Sequence, residues 1–213
     1  MSFAAARRRM IERQLRQRGI GDERVLAAMG EVPREAFLPE ALRERAYEDS
    51  ALPIGEEQTI SQPWIVAAIC QALELDGSEL VLEVGTGSGY SAAVLARLAA
   101  HVVSIERHQS LSREAADALA TLGVRNVEIV VGDGSLGVRE RAPFDAIAVH
   151  AAAPAPPPAL VDQLADGGRL VVPISGEEAD VLTLLRRTGD RDETKNLGPC
   201  RFVPLIGEEG FDG

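Results

Sequence analysis

The chain has 213 residues, 46% hydrophobic and 26% charged, which suits one domain with a core large enough to fold without staples. Its 33 acidic and 22 basic residues leave a net charge of −11, which disfavours nucleic-acid binding, because that needs a cationic surface that releases counterions. Two cysteines, Cys70 and Cys200, without a CxxC pair or a nearby His, suggest neither a disulfide framework nor a metal site. No apolar run reaches membrane-span length and no signal peptide is visible, so the expected setting is the cytosol.

Residues 4–18 and 22–30 carry apolar residues at helical spacing, with Gly19 and Gly21 between them and Asp22 placed to cap the second helix. The arginines Arg7, Arg8, Arg9, Arg13, Arg16 and Arg18 read as the solvated face of the first helix. Pro33 and Pro39 bracket a short helical turn. Residues 45–60 lack periodicity and read as a connecting segment. Pro63 then opens a helix whose apolar face is Ile65, Val66, Ile69, Cys70 and Leu73.

From residue 78 the texture changes. "ELVLEV", "HVVSIE", "VEIVV", "FDAIAV" and "RLVVPIS" are short apolar strands, separated by helical stretches at "SAAVLARLAA", "SLSREAADALATLG" and a Pro-led run that stops at Gly167-Gly168. Strands alternating with helices imply a mostly parallel sheet covered on both faces. "DVLTLLRR" and "PCRFVPLI" follow with no helix between them and are expected to form an antiparallel hairpin on that sheet.

Chemistry concentrates at three strand ends. "VLEVGTGSGY" places Gly85, Gly87 and Gly89 in a strand-to-helix turn, where missing side chains let a ligand approach the backbone. A tight turn alone would also explain these glycines. Glu106 ends the next strand, about 20 residues on, where a carboxylate can accept from ribose hydroxyls. Asp133 and Gly134 end the third strand, and Asp133 is a candidate acceptor for an adenine amino group. Helix capping or turn formation would account for either acid alone. A nucleoside with free ribose hydroxyls fits all three, and no GxxxxGK[ST] loop is present. Between a dinucleotide and S-adenosylmethionine, Glu83 favours the latter, since an acid beside the turn suits a sulfonium or amino group and not a pyrophosphate.

The stretch "GEEQTISQPW" at residues 55–64 is the other candidate. Ser61 reads either as the N-cap of the following helix or as a donor, with Thr59, to a substrate carboxylate. Ile60 and Trp64 read either as helix-face core or as walls of a site. The residues His101, His108 and His150 are scattered and read as structural or solvent-exposed.

With these blocks in view, and with "DQLADGGRLVVPI" and "RFVPLIGEEGF" near the end, the chain resembles the protein-L-isoaspartate O-methyltransferase family of class I methyltransferases over nearly its whole length. The resemblance implies a Rossmann-like, doubly wound, mostly parallel seven-stranded sheet with an antiparallel C-terminal strand. It implies a single domain over residues 1–213, in which residues 1–60 form a helical substrate-side cover and 61–213 the cofactor-binding core. It implies methyl transfer from S-adenosylmethionine to the free carboxylate of isoaspartyl residues in damaged proteins and peptides, by a monomer with no metal, nucleic acid or membrane involved. A dedicated peptide or small carboxylate substrate is the alternative. Ser61 falls on the active-site serine, with Thr59, Ile60 and Trp64 on the substrate side. Glu83, Gly85, Gly87, Gly89, Glu106, Asp133 and Gly134 fall on the cofactor side. The chain departs from the family pattern at Glu57, where a glycine is common, at Val66, where some members have His, and at Ile206, where some have Thr.

Overall fold

The computed structural model describes residues 2–189 and 191–212. Helix α1 (Phe3–Met10) is capped by Ser2 and runs on through a wide turn at Ile11–Leu15 and a tight one at Arg16–Arg18, stopping at Gly19 with φ 93°. Asp22 caps α2 (Glu23–Glu31) as expected, its carboxylate accepting from the N–H groups of Arg24 and Val25. Pro33 is followed by the expected short turn, Arg34–Phe37.

The segment read as a plain connector differs. It contains an antiparallel hairpin, β1 (Leu52–Gly55) and β2 (Gln58–Ile60). Leu52, Ile54 and Ile60 point into the core, which holds the hairpin down despite its length. Glu56 and Glu57 form its tip, both at positive φ (49° and 57°). That is the backbone of a two-residue turn whose twist matches the strands.

Helix α3 (Pro63–Ala72) leads into β3 (Leu80–Val84), α4 (Tyr90–Leu95), β4 (His101–Glu106), α5 (Gln109–Thr121), β5 (Val127–Val131), β6 (Phe144–Val149), α6 (Pro158–Asp162), β7 (Leu164–Ile174), β8 (Asp180–Thr188) and β9 (Arg191–Cys200). The seven-stranded sheet has the order β5-β4-β3-β6-β7-β8-β9. The first five strands are parallel, and β8 runs antiparallel to both its neighbours. Period-two alternation divides the core. Val81, Val102, Ala146 and Val171 face the N-terminal helices and α3, α4 and α5. Leu82, Val103, Ile147 and Val172 face α6 and Leu205.

Two boundaries differ from expectation. Helix α6 ends at Asp162 and not at the glycine pair, because the buried Gln163 turns the chain. Its amide donates to the carbonyls of Leu136 and Ala159 and accepts from Val138, and Phe144 N–H donates to its carbonyl. The last strand is the polar run 191–200, and "RFVPLI" leaves the sheet. Ala152 N–H donates to the carbonyl of Val203 and Leu205 N–H to that of Ala152, so residues 202–206 lie across the carboxyl ends of the strands. No helix among the described residues is long and apolar enough to cross a membrane.

Candidate active site

The carboxyl ends of β3, β4 and β6, the hairpin, the start of α3 and the 199–206 segment enclose one cleft of about 980 Å³. In a parallel sheet this edge is where ligands bind, since the strand-to-helix turns open there.

The glycine turn forms one wall. Gly85 (φ 91°) and Gly87 (φ 52°) line the cleft and hold backbone angles that side chains resist. Ile54 of the hairpin packs on Gly87, its Cδ1 only 3.4 Å from where a Cβ would stand, so the hairpin lies against the turn. Gly89 does a different job. It lies outside the cleft lining, and a Cβ there would sit 3.1 Å from that of Ala115, so its bareness lets α4 and α5 approach.

Glu106 lines the cleft and is almost wholly buried. Its Oε2 accepts from Gly87 N–H at 2.9 Å and its Oε1 from His108 N–H at 3.0 Å. The carboxylate thus ties the glycine turn to the exit of β4 and keeps lone pairs for a ligand's hydroxyls. Gly134 also lines the cleft, 2.6 Å from Val84 Cγ1 measured from the position of a Cβ, so nothing larger fits.

Asp133 and Glu83 stand elsewhere than the sequence suggests. Asp133 is outside the cleft lining and is committed to the C-terminal segment. Its Oδ1 accepts from the Ser135 N–H and hydroxyl, its Oδ2 from Glu208 N–H. Burial pushes its carboxyl up, but these hydrogen bonds outweigh that and hold it below the ordinary range. Glu83 does not reach the cleft either. It points into the face covered by α4 and is fully buried, hydrogen-bonded to Ser104 at 2.5 Å. His150 and Ser91 stand between it and the cleft.

The opposite wall carries "QTISQPW". Gln62 is the N-cap of α3, and no side chain caps that helix. Ser61 is therefore not spent on the helix start, and its residue lines the cleft with Thr59, Ile60 and Trp64. Ile60 is buried, whereas Thr59 is exposed at the surface of the cleft. The Trp64 indole donates to the Arg18 carbonyl, and the Arg18 guanidinium sits 5.0 Å from its ring centre while pairing with Asp49 at 2.8 Å. Gln62 bonds the same aspartate at 2.8 Å. The hairpin tip leans on α5: Glu56 Oε1 accepts from the Ser110 hydroxyl at 2.6 Å.

Sequence reasoning missed several cleft residues. Arg18 comes from the arginine helix read as solvated, Arg201 from a segment read as a strand, and His108 and His150 from histidines read as incidental. His150 could have been suspected from its place directly after β6, where the other strand ends already carried the signal. Glu57, Val66 and Ile206, the three departures from the family pattern, also line the cleft. No group of His, Cys, Asp and Glu among the described residues could hold a metal ion.

Comparison with known proteins agrees with this fold. Residues 5–210 match the family profile of protein-L-isoaspartate(D-aspartate) O-methyltransferase. The chain is 55% identical to protein-L-isoaspartate O-methyltransferase 1 of Rhodopseudomonas palustris, over 99% of this chain and 86% of that one. It is 53% identical to the enzyme of that name in Syntrophobacter fumaroxidans, over the full length of both. Among solved structures, a protein-L-isoaspartate O-methyltransferase superposes with a TM-score of 0.86 at 32% identity, covering 96% of this chain and 67% of that one. A Plasmodium falciparum protein assigned the same activity and solved with S-adenosyl-L-homocysteine superposes with a TM-score of 0.79 at 26% identity, covering 94% and 98%. The chain belongs to the protein-L-isoaspartate(D-aspartate) O-methyltransferase family.

Proposed function

We propose that this cleft performs the family's reaction, methyl esterification of the isoaspartyl carboxylate, with S-adenosylmethionine at the glycine-turn end and the substrate at the "QTISQPW" end. The bound cofactor supplies an electrophilic methyl group on a sulfonium. The residues present suit it: two bare glycines beside the backbone, the Glu106 carboxylate with free lone pairs, and Gly134 at the floor. Asp133 supports the C-terminal segment around that end through Glu208 and Ser135.

The substrate carboxylate is already ionised at neutral pH, so no base is needed. What the chain must provide is orientation and exclusion of water. Ser61 and Thr59 donate hydroxyl hydrogens to the carboxylate, and Ile60 and Trp64 wall it off. The observation that carries this reading is Ser61: its hydroxyl is free of any capping duty and stands on the same cleft as Glu106. The same reading takes the chain as a single domain acting as a monomer in the cytosol without nucleic acid; its length supports the single domain, and its net charge of −11 supports the exclusion of nucleic acid.

The test is labelled methyl transfer to an isoaspartyl peptide beside its normal aspartyl twin. Transfer to the isoaspartyl peptide alone is expected. Equal labelling of both, or of neither, overturns the substrate assignment.

A further inference from the structure

Behind the cleft floor lies a buried polar cluster that positioning of the substrate does not use. Glu83 Oε2 accepts from Ser104, and Ser104 Oγ is 2.6 Å from Thr86 Oγ1. Glu83 Oε1 has no hydrogen-bond partner at all. Across from it stands His150, with Nε2 3.5 Å away and itself 2.8 Å from the Ser91 hydroxyl.

No fixed positive charge faces this carboxyl. β4 presents Ser104 and the Glu106 carboxylate, α4 presents Ser91, and α3 presents the Cys70 thiol. The glycine turn presents Thr86 and the exit of β6 presents His150. Among the described residues no Arg or Lys comes within ion-pair distance of Glu83. An ionised Glu83 would leave one oxygen charged, buried and unbonded, which is costly. Burial accordingly raises its carboxyl to about 7, against the opposing hydrogen bond from Ser104. Burial also lowers His150 to about 4, so the imidazole is neutral and does not supply the missing charge. Yet Thr86, Ser91 and His150 all line the cleft, so one layer of side chains separates Glu83 from its occupant.

We infer that Glu83 lets the protein tell the sulfonium cofactor from its thioether product by the charge on sulfur: the carboxyl releases its proton when the sulfonium charge enters the cleft and takes one back when that charge is gone. This rests on the reading of the cleft as the S-adenosylmethionine site. On binding, the proton passes from Glu83 to solvent. On methyl transfer the positive charge leaves the sulfur, and Glu83 recovers a proton from solvent. Loss of the partner charge weakens hold on the product, which makes Glu83 a specificity-determining residue that acts without touching the ligand.

Isothermal calorimetry with S-adenosylmethionine and S-adenosylhomocysteine, without peptide, tests this between pH 6 and 8 in two buffers of different ionisation heat. At pH 7 the sulfonium ligand should release about half a proton more than the thioether does. The affinity ratio of the two should fall about tenfold from pH 8 to pH 6, following a single site that titrates near 7. In Glu83→Gln the ratio should lose that slope, and pH dependence from the ligands' own amino groups, which survives there, is subtracted. Ser104→Ala, which removes a donor to the ionised form, should move the midpoint to higher pH if Glu83→Gln fails to fold. A wild-type ratio that is flat while both ligands bind overturns the inference, as does a slope that persists in Glu83→Gln. Failure of both ligands to bind is a different result and sinks the cofactor reading itself.

Discussion

Replacing Ser61 by Ala removes one hydroxyl from the cleft wall and little else. The residue does not cap α3, whose N-cap is Gln62 with no side-chain bond, so no helix end loses a partner. The position is only partly buried, so the missing atom leaves no sealed cavity. Stability should then change by less than about 0.5 kcal/mol, or about 2 °C in Tm for a chain of this size. Activity should change much more. A hydrogen bond to a charged group contributes about 1.5–3 kcal/mol, which corresponds to a loss of about 10- to 150-fold in kcat/KM if the bond is made to the substrate carboxylate during transfer. Thr59 remains and sets the lower end of that range. Initial rates of labelled methyl transfer to an isoaspartyl peptide measure the effect, with melting and cofactor calorimetry run in parallel. Ser61→Thr, which keeps the hydroxyl, should recover most of the rate. A kcat/KM within twofold of wild type refutes the role. A fall in Tm of more than about 5 °C would mean instead that Ser61 supports the fold.

The acids and glycines behave differently. Glu106→Gln keeps the shape but leaves one loop N–H facing an amide NH₂, because the carboxylate accepts from both Gly87 and His108; cofactor affinity should drop at least tenfold, and unchanged affinity by calorimetry would discard the ribose assignment. Gly134→Ala drives a methyl to 2.6 Å from Val84 Cγ1, and overpacking of this kind costs about 1–3 kcal/mol; an unshifted denaturation midpoint would show the floor to be looser than described. The Glu83–His150 pair sets a pH dependence of stability with opposite signs. Glu83 has a raised carboxyl, so its contribution is full below the ordinary range near 4.5 and is lost as pH rises through about 7. Glu83→Gln never ionises and should gain on wild type by up to about 3 kcal/mol between pH 5 and pH 8. The neutral His150 contributes above 6.5 and loses that contribution as pH falls through about 4. Urea melts of wild type and variant that run parallel across this range would contradict the burial argument.

Much of the sheet was legible because a buried parallel strand is a short apolar run that ends in a turn, and β3, β4, β5 and β6 all have that form. The hairpin was not legible. Its strands are three and four residues long, and its tip is Glu56-Glu57, where Asn-Gly is the recognisable signal for the same backbone. The edge strand β9 was hidden for the opposite reason. It has one ladder partner and an exposed side, so charged residues suit it, while the apolar "RFVPLI" that imitates a strand spends its side chains on the strand ends and the cleft. In the site, the cleft positions of Gly85, Gly87, Glu106 and Gly134 were readable from strand ends. Glu83 was misread because it stands one residue before the last of β3, and that single step turns its side chain into the α4 face. Arg18 and Arg201 join the cleft from residues far apart in sequence, and no local pattern carries that information.

The cleft is acidic at its floor, and its substrate is an anion; the two facts together imply an order of binding. Glu106 stands on the floor and supplies that charge, since Glu83, one layer behind it, holds its proton while no cation is present. Arg18, a lining cation beside Trp64, is already paired with Asp49. A carboxylate brought to Ser61 before the cofactor meets the Glu106 charge without the sulfonium that offsets it. Two unit charges about 8 Å apart at an effective dielectric near 20 repel by about 2 kcal/mol, which is about thirtyfold in affinity. Once the sulfonium is present, the same field is cancelled and the carboxylate is drawn toward the methyl group. The cofactor should therefore bind first and the peptide second, with the thioether product leaving last. In initial-rate kinetics S-adenosylhomocysteine should then compete with S-adenosylmethionine but not with the peptide. Competition against the peptide would show that the anion enters the empty cleft freely, and that the acidic floor does not set the order.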